Sequence, residues 1–223
     1  DGIIRNAVNF PSLSAEEFGR LRPFVELGER LGAFLAQMND SRAHTLSVRY
    51  YGGLAEGRND VIVNAVLVGV FKPILSSGVT LVNARSVAAD RGIEIIESRS
   101  SRPRNYTNLL SVKLHTPDGE HWVEGAVFER TRPRLVLVDG IAVEAPLEGT
   151  MIVIRNNDQP GVIGEIGTML GRHHVNIANF ALGREGASAV GVVIVDEPSP
   201  IPVAVLDDLR KVKAIREARI VRV

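Results

Sequence analysis

The sequence predicts an α+β protein of two domains, a mixed α/β domain followed by a smaller βαββαβ domain. Three observations support this prediction. Residues 44–98 alternate between strand and helix periodicity, and residues 110–145 contain two hairpin signals. Residues 151–223 show six elements in the order strand, helix, strand, strand, helix, strand. The segment Pro146–Thr150, which we interpret as a short hinge, separates the two parts.

A long helix is predicted before the first domain, after an irregular entry. Ser14 and Glu17 have the spacing of a capped helix start. Between residues 21 and 38 the apolar side chains recur at helical spacing, at Phe24, Leu27, Leu31, Phe34, Leu35 and Met38.

The first domain is predicted to contain two helices and several strands. Helices are expected at 59–71, ended by Pro73, and at 84–90, closed by Gly92. An Arg-rich loop is expected at 99–108, and turns at Asp118-Gly119 and Asp139-Gly140 form the hairpins. The predicted strands are 44–51, 93–98, 110–115, 121–128, 135–138 and 141–145.

The second domain is predicted to be a ferredoxin-like split βαβ sandwich. Its helices are expected at 160–173 and 201–213, and its strands at 151–156, 176–183, 189–196 and 216–223. The first helix should bury Val162, Ile163, Ile166, Met169 and Leu170. Two helices cover only one face of such a sheet, so dimerisation is expected to cover the other face or an edge strand.

Composition excludes several classes of function. The 223 residues carry 26 Lys+Arg and 26 Asp+Glu, so net charge does not indicate a nucleic-acid or membrane partner. No apolar run reaches the ~18 residues of a membrane span. The absence of cysteine excludes disulfides and thiolate sites and is typical of the cytoplasm. Because the chain begins at Asp1, we expect it to be a fragment of a longer protein.

The most informative segment is the polar loop between the first strand and helix of the second domain. Pro160 is expected at the first helical position, which leaves the amides of Gly161, Val162 and Ile163 directed at the loop. These amides suit a carboxylate, whereas the Asp158 side chain suits an ammonium, and Asn156 and Asn176 can bridge. The alternative is that Asp158 or Gln159 only caps the helix. On the first interpretation, the loop binds a small zwitterion.

Other candidate sites are weaker. Gly161, Gly164 and Gly167 do not match a dinucleotide turn, and a hairpin rather than a parallel strand follows the helix. His115 and His121 flank a turn but should project from opposite faces, so we expect no metal site. Arginines near the hairpins could form a small-anion site, with Arg132 and Arg134 as its candidates. No catalytic set emerges.

The second domain resembles the ACT family of amino-acid-sensing domains. The resemblance rests on Asp158-x-Pro160-Gly161 and on the Gly171-x-x-x-Val175-Asn176-Ile177 turn. Upstream, the segment 6–11, the long helix and Val82-Asn83-Ala84 resemble the C-terminal half of long bacterial D-3-phosphoglycerate dehydrogenases. By this resemblance, 1–40 is the tail of a preceding domain with a linker helix. Residues 41–148 are an allosteric substrate-binding (intervening) domain, and 149–223 are the ACT domain.

The resemblance implies a regulatory, oligomerising fragment of an NAD-dependent enzyme of L-serine biosynthesis. L-serine or a related small amino acid would bind at Asn156, Asp158, Gly161, Val162, Ile163, Asn176 and Ile177. Asn156 and Asp158 would come from one subunit and Asn176 from the other, in a dimer that forms a tetramer in the parent protein. The family's Gly-rich nucleotide loop and catalytic residues are absent from this chain, so NAD would bind elsewhere in the parent. The segment 141–146 lacks the positive charge found in some relatives, which leaves Arg134 as the remnant of a second effector site.

Two alternatives stay open at this stage. The β subunit of an iron–sulfur L-serine dehydratase has a similar length and domain order, but it should carry a Ser-Ser-Ser-His-Thr motif that this chain lacks. The other alternative is a dimerisation scaffold that binds no ligand.

Overall fold

A computed structural model describes residues 14–75, 78–102, 104–196 and 201–223. The segment 6–11, which contributed to the resemblance, lies outside the described residues. The predicted α+β class is confirmed. The helices are α1 (Ala15–Met38), α2 (Asp60–Phe71), α3 (Ala84–Asp90), α4 (Val162–Arg172) and α5 (Val203–Lys211). The strands are β1 (Thr45–Gly52), β2 (Glu94–Ser100), β3 (Asn108–Thr116), β4 (Gly119–Phe128), β5 (Arg132–Val138), β6 (Ile141–Pro146), β7 (Thr150–Asn157), β8 (Ile177–Glu185), β9 (Ser188–Val195) and β10 (Ile215–Arg222).

The first domain is a six-stranded sheet in the order β2-β1-β3-β4-β5-β6. β2 pairs with β1 in parallel, and the other neighbours are antiparallel. Helices α1 and α2 bury their apolar sides in one core with alternate residues of the sheet, among them Val48, Leu110 and Leu135. The β3–β4 turn residues are Pro117 and Asp118, because Thr116 pairs with Gly119; the turn lies one residue earlier than the predicted Asp118-Gly119 turn.

Helix α1 begins with a capping box, in which the Ser14 hydroxyl accepts a bond from the Glu17 amide and the Glu17 carboxylate accepts one from the Ser14 amide.

The two long helices of this domain cross at glycine contacts. A Cβ added at Gly69 of α2 would lie 1.9 Å from the Glu29 carbonyl oxygen of α1. Because both partners at this contact are backbone, the helices could accommodate a side chain there only by separating.

We therefore expect Gly69→Ala to lower the free energy of unfolding by about 1–3 kcal/mol, the usual cost of overpacking. The measurement is urea denaturation followed by circular dichroism. Gly167→Ala in α4 is the matched control, since a Cβ there meets no atom within 4 Å. The control should be neutral or stabilising by up to ~1 kcal/mol. Equal effects of the two substitutions would contradict the close crossing.

The second domain is a four-stranded antiparallel sheet in the order β10-β7-β9-β8. Helices α4 and α5 bury Val162, Ile166, Leu170, Val205 and Leu209 against one face of this sheet. This is the predicted ferredoxin-like arrangement.

The opposite face of the second sheet is covered by the first domain. Met151, Val153 and Val192 belong to the same buried cluster as the core of the first domain. Strand β6 approaches β8 so closely that a Cβ at Gly183 would lie 2.2 Å from the Ala142 carbonyl oxygen. Of the two surfaces that were expected to need a partner, this face is therefore covered within the chain. The edge strand β8 remains the candidate for self-association.

The connector between the domains is anchored, which corrects its interpretation as a hinge. The Leu147 side chain is fully buried, and its backbone N–H donates to the Pro133 carbonyl at 3.1 Å. Arg30 of α1 donates to the Leu147 carbonyl oxygen at 2.6 Å. The amide of Val223 donates to the Gly149 carbonyl oxygen at 3.1 Å. These bonds fix Leu147 to the first domain and Gly149 to the end of the second, and the core shared by the two domains opposes a rotation about the connector.

Ion pairs also join the two domains. Arg155 of β7 bonds to Asp139 in the β5–β6 turn, and its Nε lies 3.1 Å from a carboxylate oxygen of Glu217. Arg219 of β10 donates to Asp40, after α1, at 2.8 Å. This hydrogen bond holds the pKa of Asp40 below its ordinary value. The contribution of the Asp40 pair to stability is therefore present above the ordinary Asp pKa and is lost as pH falls through the lowered one.

In the described part of the chain, no helix is both long and apolar enough to cross a membrane.

Candidate functional site

A pocket of about 240 Å³ lies where the β7–α4 loop meets the end of β8. It brings together the predicted residues Asn156, Asp158, Gly161, Val162 and Ile163. Its other lining residues are Gln159, Pro160, Ile166, Leu182 and Arg184. The apolar residues form one side of this pocket, and the loop and strand ends supply its polar groups.

Asn156 is the deepest polar group of the pocket. The residue is only 3% exposed, at the end of β7, and its Nδ2 has no hydrogen-bond partner among the described residues. A buried amide that donates no bond is costly, so such groups in folded proteins require an explanation. Because Asn156 lines the pocket, a ligand that accepts a hydrogen bond would satisfy it.

The N-terminus of α4 faces the same pocket without a side-chain cap. Gly161 is the N-cap residue, with a φ of 91°, a left-handed conformation that glycine adopts without strain. The helix therefore begins at Val162, two residues later than predicted, and Pro160 precedes it. In the part of the chain that the structure describes, no side chain bonds to this helix end, so Asp158 and Gln159 do not cap it. The amides of Ile163 and Gly164 precede the first helical bond, from Glu165 to Gly161, and can attract an anion.

Asp158 is paired with Arg184 across the mouth of the pocket. The Arg184 Nε donates to an Asp158 carboxylate oxygen at 2.7 Å, and the Asp158 side chain is 18% exposed. This bond raises the pKa of Arg184 above its ordinary value. From sequence alone, Asp158 was expected to be free for an ammonium, and Arg184 was not among the predicted site residues. Strand register could have found Arg184, since Ala189 pairs with both Asn156 and Arg184.

Of the two apolar residues predicted to be buried at the start of α4, one is buried and the other is partly exposed. Val162 is buried in the second core, as predicted. Ile163 is 49% exposed, so it lines the pocket instead of joining the core. An exposed isoleucine beside a polar pocket could contact a ligand or a second chain.

Asn176 and Ile177 lie at the other end of the sheet. Ile177 pairs with Val195, whose other neighbour is Thr150, whereas Asn156 is at the far end of β7. At ~3.3 Å per residue, the length of β8 separates the two asparagines by roughly 25 Å. Asn176 Nδ2 donates to the Asp196 carboxylate. Within one chain, Asn176 therefore cannot reach the pocket.

The two arginines of the possible anion site have separate partners. Arg132 is highly exposed and lies 3.3 Å from Glu129. Arg134 is 3.4 Å from Glu144, and its guanidinium carbon lies 5.6 Å from the centre of the Phe128 ring. The Nε of Arg134 is buried, and no described residue forms a hydrogen bond with it. Both arginines lie on β5, two residues apart, and each has a carboxylate partner.

The pocket offers chemistry for binding. An amide donor, a carboxylate, a guanidinium and helix amides surround a space that suits a small molecule with both charges. The turn does not fit a dinucleotide, because β8 after α4 joins an antiparallel sheet. No group of three or more His, Cys, Asp or Glu residues that could hold a metal ion occurs among the described residues.

Comparison with known proteins identifies the family. The D-3-phosphoglycerate dehydrogenase intervening domain matches residues 20–139, and the ACT domain matches residues 150–213. A D-3-phosphoglycerate dehydrogenase of Synechocystis sp. is 34% identical over 98% of this chain and 40% of its own length. One from Archaeoglobus fulgidus is 34% identical over 96% of this chain, and one from Methanocaldococcus jannaschii is 30% identical over 98%.

These relatives are longer than the chain described above, which covers 41% of the length of the two archaeal proteins. The matched domains follow each other in the order that the sequence analysis inferred. The L-serine dehydratase alternative is set aside by these matches. The chain therefore belongs to the D-3-phosphoglycerate dehydrogenase family, with the intervening domain and the ACT domain of that family.

Proposed function

We propose that this chain is the regulatory region of an NAD-dependent D-3-phosphoglycerate dehydrogenase and binds L-serine, or a related small amino acid, for feedback control. The observation that carries the proposal is the buried Asn156 amide without a partner, in a pocket beside Asp158 and an uncapped helix end. The nucleotide-binding and catalytic parts would lie outside these 223 residues.

We further propose that two chains complete the site. Strand β8 is an edge strand, and antiparallel pairing of two β8 strands about a two-fold axis would put the start of one beside the end of the other. Asn176 of one chain would then approach the Asp158 pocket of its partner. The separation of Asn156 and Asn176 within one chain supports this arrangement.

Ligand binding would act on association, because the domain connector is anchored. An amino acid that contacts both chains binds the pair better than the separated chains, so it shifts the equilibrium toward the pair. By linkage, each bound L-serine should tighten dimerisation by the factor by which dimerisation tightens its binding, so two bound molecules tighten it by the square of that factor. Sedimentation with and without L-serine measures that factor.

The proposal is tested by isothermal titration of L-serine into the 223-residue chain, with D-serine and glycine as comparisons. We expect about one L-serine per chain. Asp158→Ala and Asn176→Ala should each weaken binding by ~1.5–3 kcal/mol through loss of a polar contact to a charged ligand. Asp207→Ala on α5 is the control, since this carboxylate lies 3.7 Å from Arg210 and outside the pocket.

A mixing experiment tests the two-chain site directly. In a dimer of one Asp158→Ala chain and one Asn176→Ala chain, one site carries both substitutions and the other carries neither. An equimolar, fully exchanged mixture should therefore recover about one tight site per four chains. No recovery would show that both residues serve a site within one chain, or none. No heat for wild type at any temperature, with a dimer in sedimentation, would favour the dimerisation scaffold.

A further inference from the structure

Arg184 occupies the position on Asp158 that a ligand's ammonium would take. Its guanidinium donates to the Asp158 carboxylate through Nε at 2.7 Å and through a terminal nitrogen at 2.5 Å. The Arg184 side chain is 65% exposed, whereas Asp158 is 18% exposed. The cation is thus the solvent-exposed partner, and the carboxylate is the more buried one.

Register places Arg184 on the same face of the sheet as the buried amide. Ala189 of β9 pairs with Asn156 on one side and with Arg184 on the other, so the three residues form one row across the sheet. Neighbouring strands are ~4.8 Å apart, so the two outer residues are separated by roughly 10 Å at the backbone. A long arginine side chain spans much of that gap.

We propose that Arg184 determines the ligand class of this pocket, which is α-amino acids rather than simple amines. The inference rests on the proposed function. The ammonium of the ligand replaces the guanidinium on Asp158, and the released guanidinium binds the ligand carboxylate together with the α4 amides. Guanidinium suits this role because its planar fork binds a carboxylate through two parallel hydrogen bonds.

This exchange makes recognition depend on both charges. A ligand with an ammonium alone displaces Arg184 from Asp158 but leaves the guanidinium without a replacement partner. A ligand with a carboxylate alone competes with Asp158 for the guanidinium and leaves that acid unpaired in a partly buried place. Only a zwitterion satisfies all the groups at once, and the buried Asn156 amide adds a donor for its carboxylate or side-chain oxygen.

The test compares L-serine with ethanolamine, which keeps the ammonium and hydroxyl but lacks the carboxylate. Both are titrated into the 223-residue wild type, Arg184→Gln and Arg184→Lys. We expect Arg184→Gln to lose roughly ten- to a hundred-fold in L-serine affinity, the typical effect of one charged hydrogen-bonded contact. Its ethanolamine affinity should stay unchanged or rise, because Asp158 is freed. Arg184→Lys should fall between, since lysine keeps the charge but lacks the fork.

Arg210→Ala is the matched control, because this arginine is also exposed and paired with an aspartate on the same domain, Asp207. It should leave both affinities and their ratio unchanged. Circular dichroism and sedimentation check that each variant keeps its fold and association. If Arg184→Gln does not fold, the ratio measured for Arg184→Lys decides.

The outcomes separate the two proposals. A wild type that binds L-serine, with an unchanged ratio of serine to ethanolamine affinity in Arg184→Gln, overturns the role of Arg184 and leaves the amino-acid site in place. Equal loss of both ligands in a folded variant also overturns it, because the arginine would then only support the structure. A wild type that binds no amino acid overturns the proposed function, and this inference with it.

Discussion

Asn156→Leu is expected to abolish L-serine binding and at the same time raise the free energy of unfolding. Leucine has the same branched shape and the same number of heavy atoms, and it removes a buried amide whose Nδ2 has no partner among the described residues. Leaving such a donor unsatisfied costs ~1–3 kcal/mol, so we expect a gain of about 1 kcal/mol. Titration calorimetry and urea denaturation of the same preparation measure the two effects.

Asn157→Leu is the control for this prediction. Asn157 directly follows Asn156 but does not line the pocket, and its side-chain oxygen accepts a hydrogen bond from Arg216. This control should retain serine binding and be neutral or slightly less stable. If Asn156→Leu proved less stable than the control, the buried amide would be structural, and the argument for a ligand would fail.

Asp139→Ala is expected to lower the free energy of unfolding by about 2–4 kcal/mol, since it removes several contacts at once. Its carboxylate accepts the backbone N–H of Trp122 at 2.6 Å and also bonds to Arg155 of the second domain. Asp139 has a φ of 44°, which aspartate tolerates better than alanine. Urea denaturation monitored by circular dichroism gives the measurement.

One further variant separates the contacts of Asp139, and another serves as a control. Asp139→Asn keeps an oxygen acceptor and the tolerance of positive φ, so it should lose roughly half as much, mainly through the pair with Arg155. Arg132→Ala removes a highly exposed charge and should stay within ~0.5 kcal/mol of wild type. Similar stability of all three variants would show that the contact between the domains contributes nothing measurable.

Local patterns predicted most elements because each depends on neighbours in sequence. The capping box at Ser14 and the limits of α3 are examples. Helix α4 shows the limit of such patterns. Pro160 was placed inside the helix because proline suits the first turn, but Gly161 takes a left-handed φ and starts the helix later. Nothing in the composition of the loop distinguishes these two starts.

The packing between domains was missed although the sequence contained a signal for it. Met151, Ile152, Val153 and Ile154 form a continuous apolar run, and all four are fully buried. Such a run indicates a strand covered on both faces, whereas two helices cover only one. Its second partner could not be named from sequence, because contacts such as Gln37 to Arg222 join residues far apart in the chain.

Only part of the pocket was predicted, because the rest depends on contacts between residues that are far apart in the chain. Residues 156–163 are contiguous, so the loop and helix start were recognisable from a short motif. Arg184 comes from another strand, and its contact with Asp158 follows from the pairing of β7, β9 and β8. Charge alone did not distinguish it from the other arginines of the chain.

The shared core has a consequence for anyone who wishes to transplant the sensor into another protein. A segment cut at residue 149 would carry a water-exposed stripe that is buried in the whole chain, formed by Met151, Val153, Val190, Val192 and Val221. Exposed apolar patches of that kind promote aggregation. The boundaries of the ACT domain in the sequence are thus not the boundaries of a part that is stable on its own. A portable sensor would need polar replacements on that stripe, or would have to include the intervening domain.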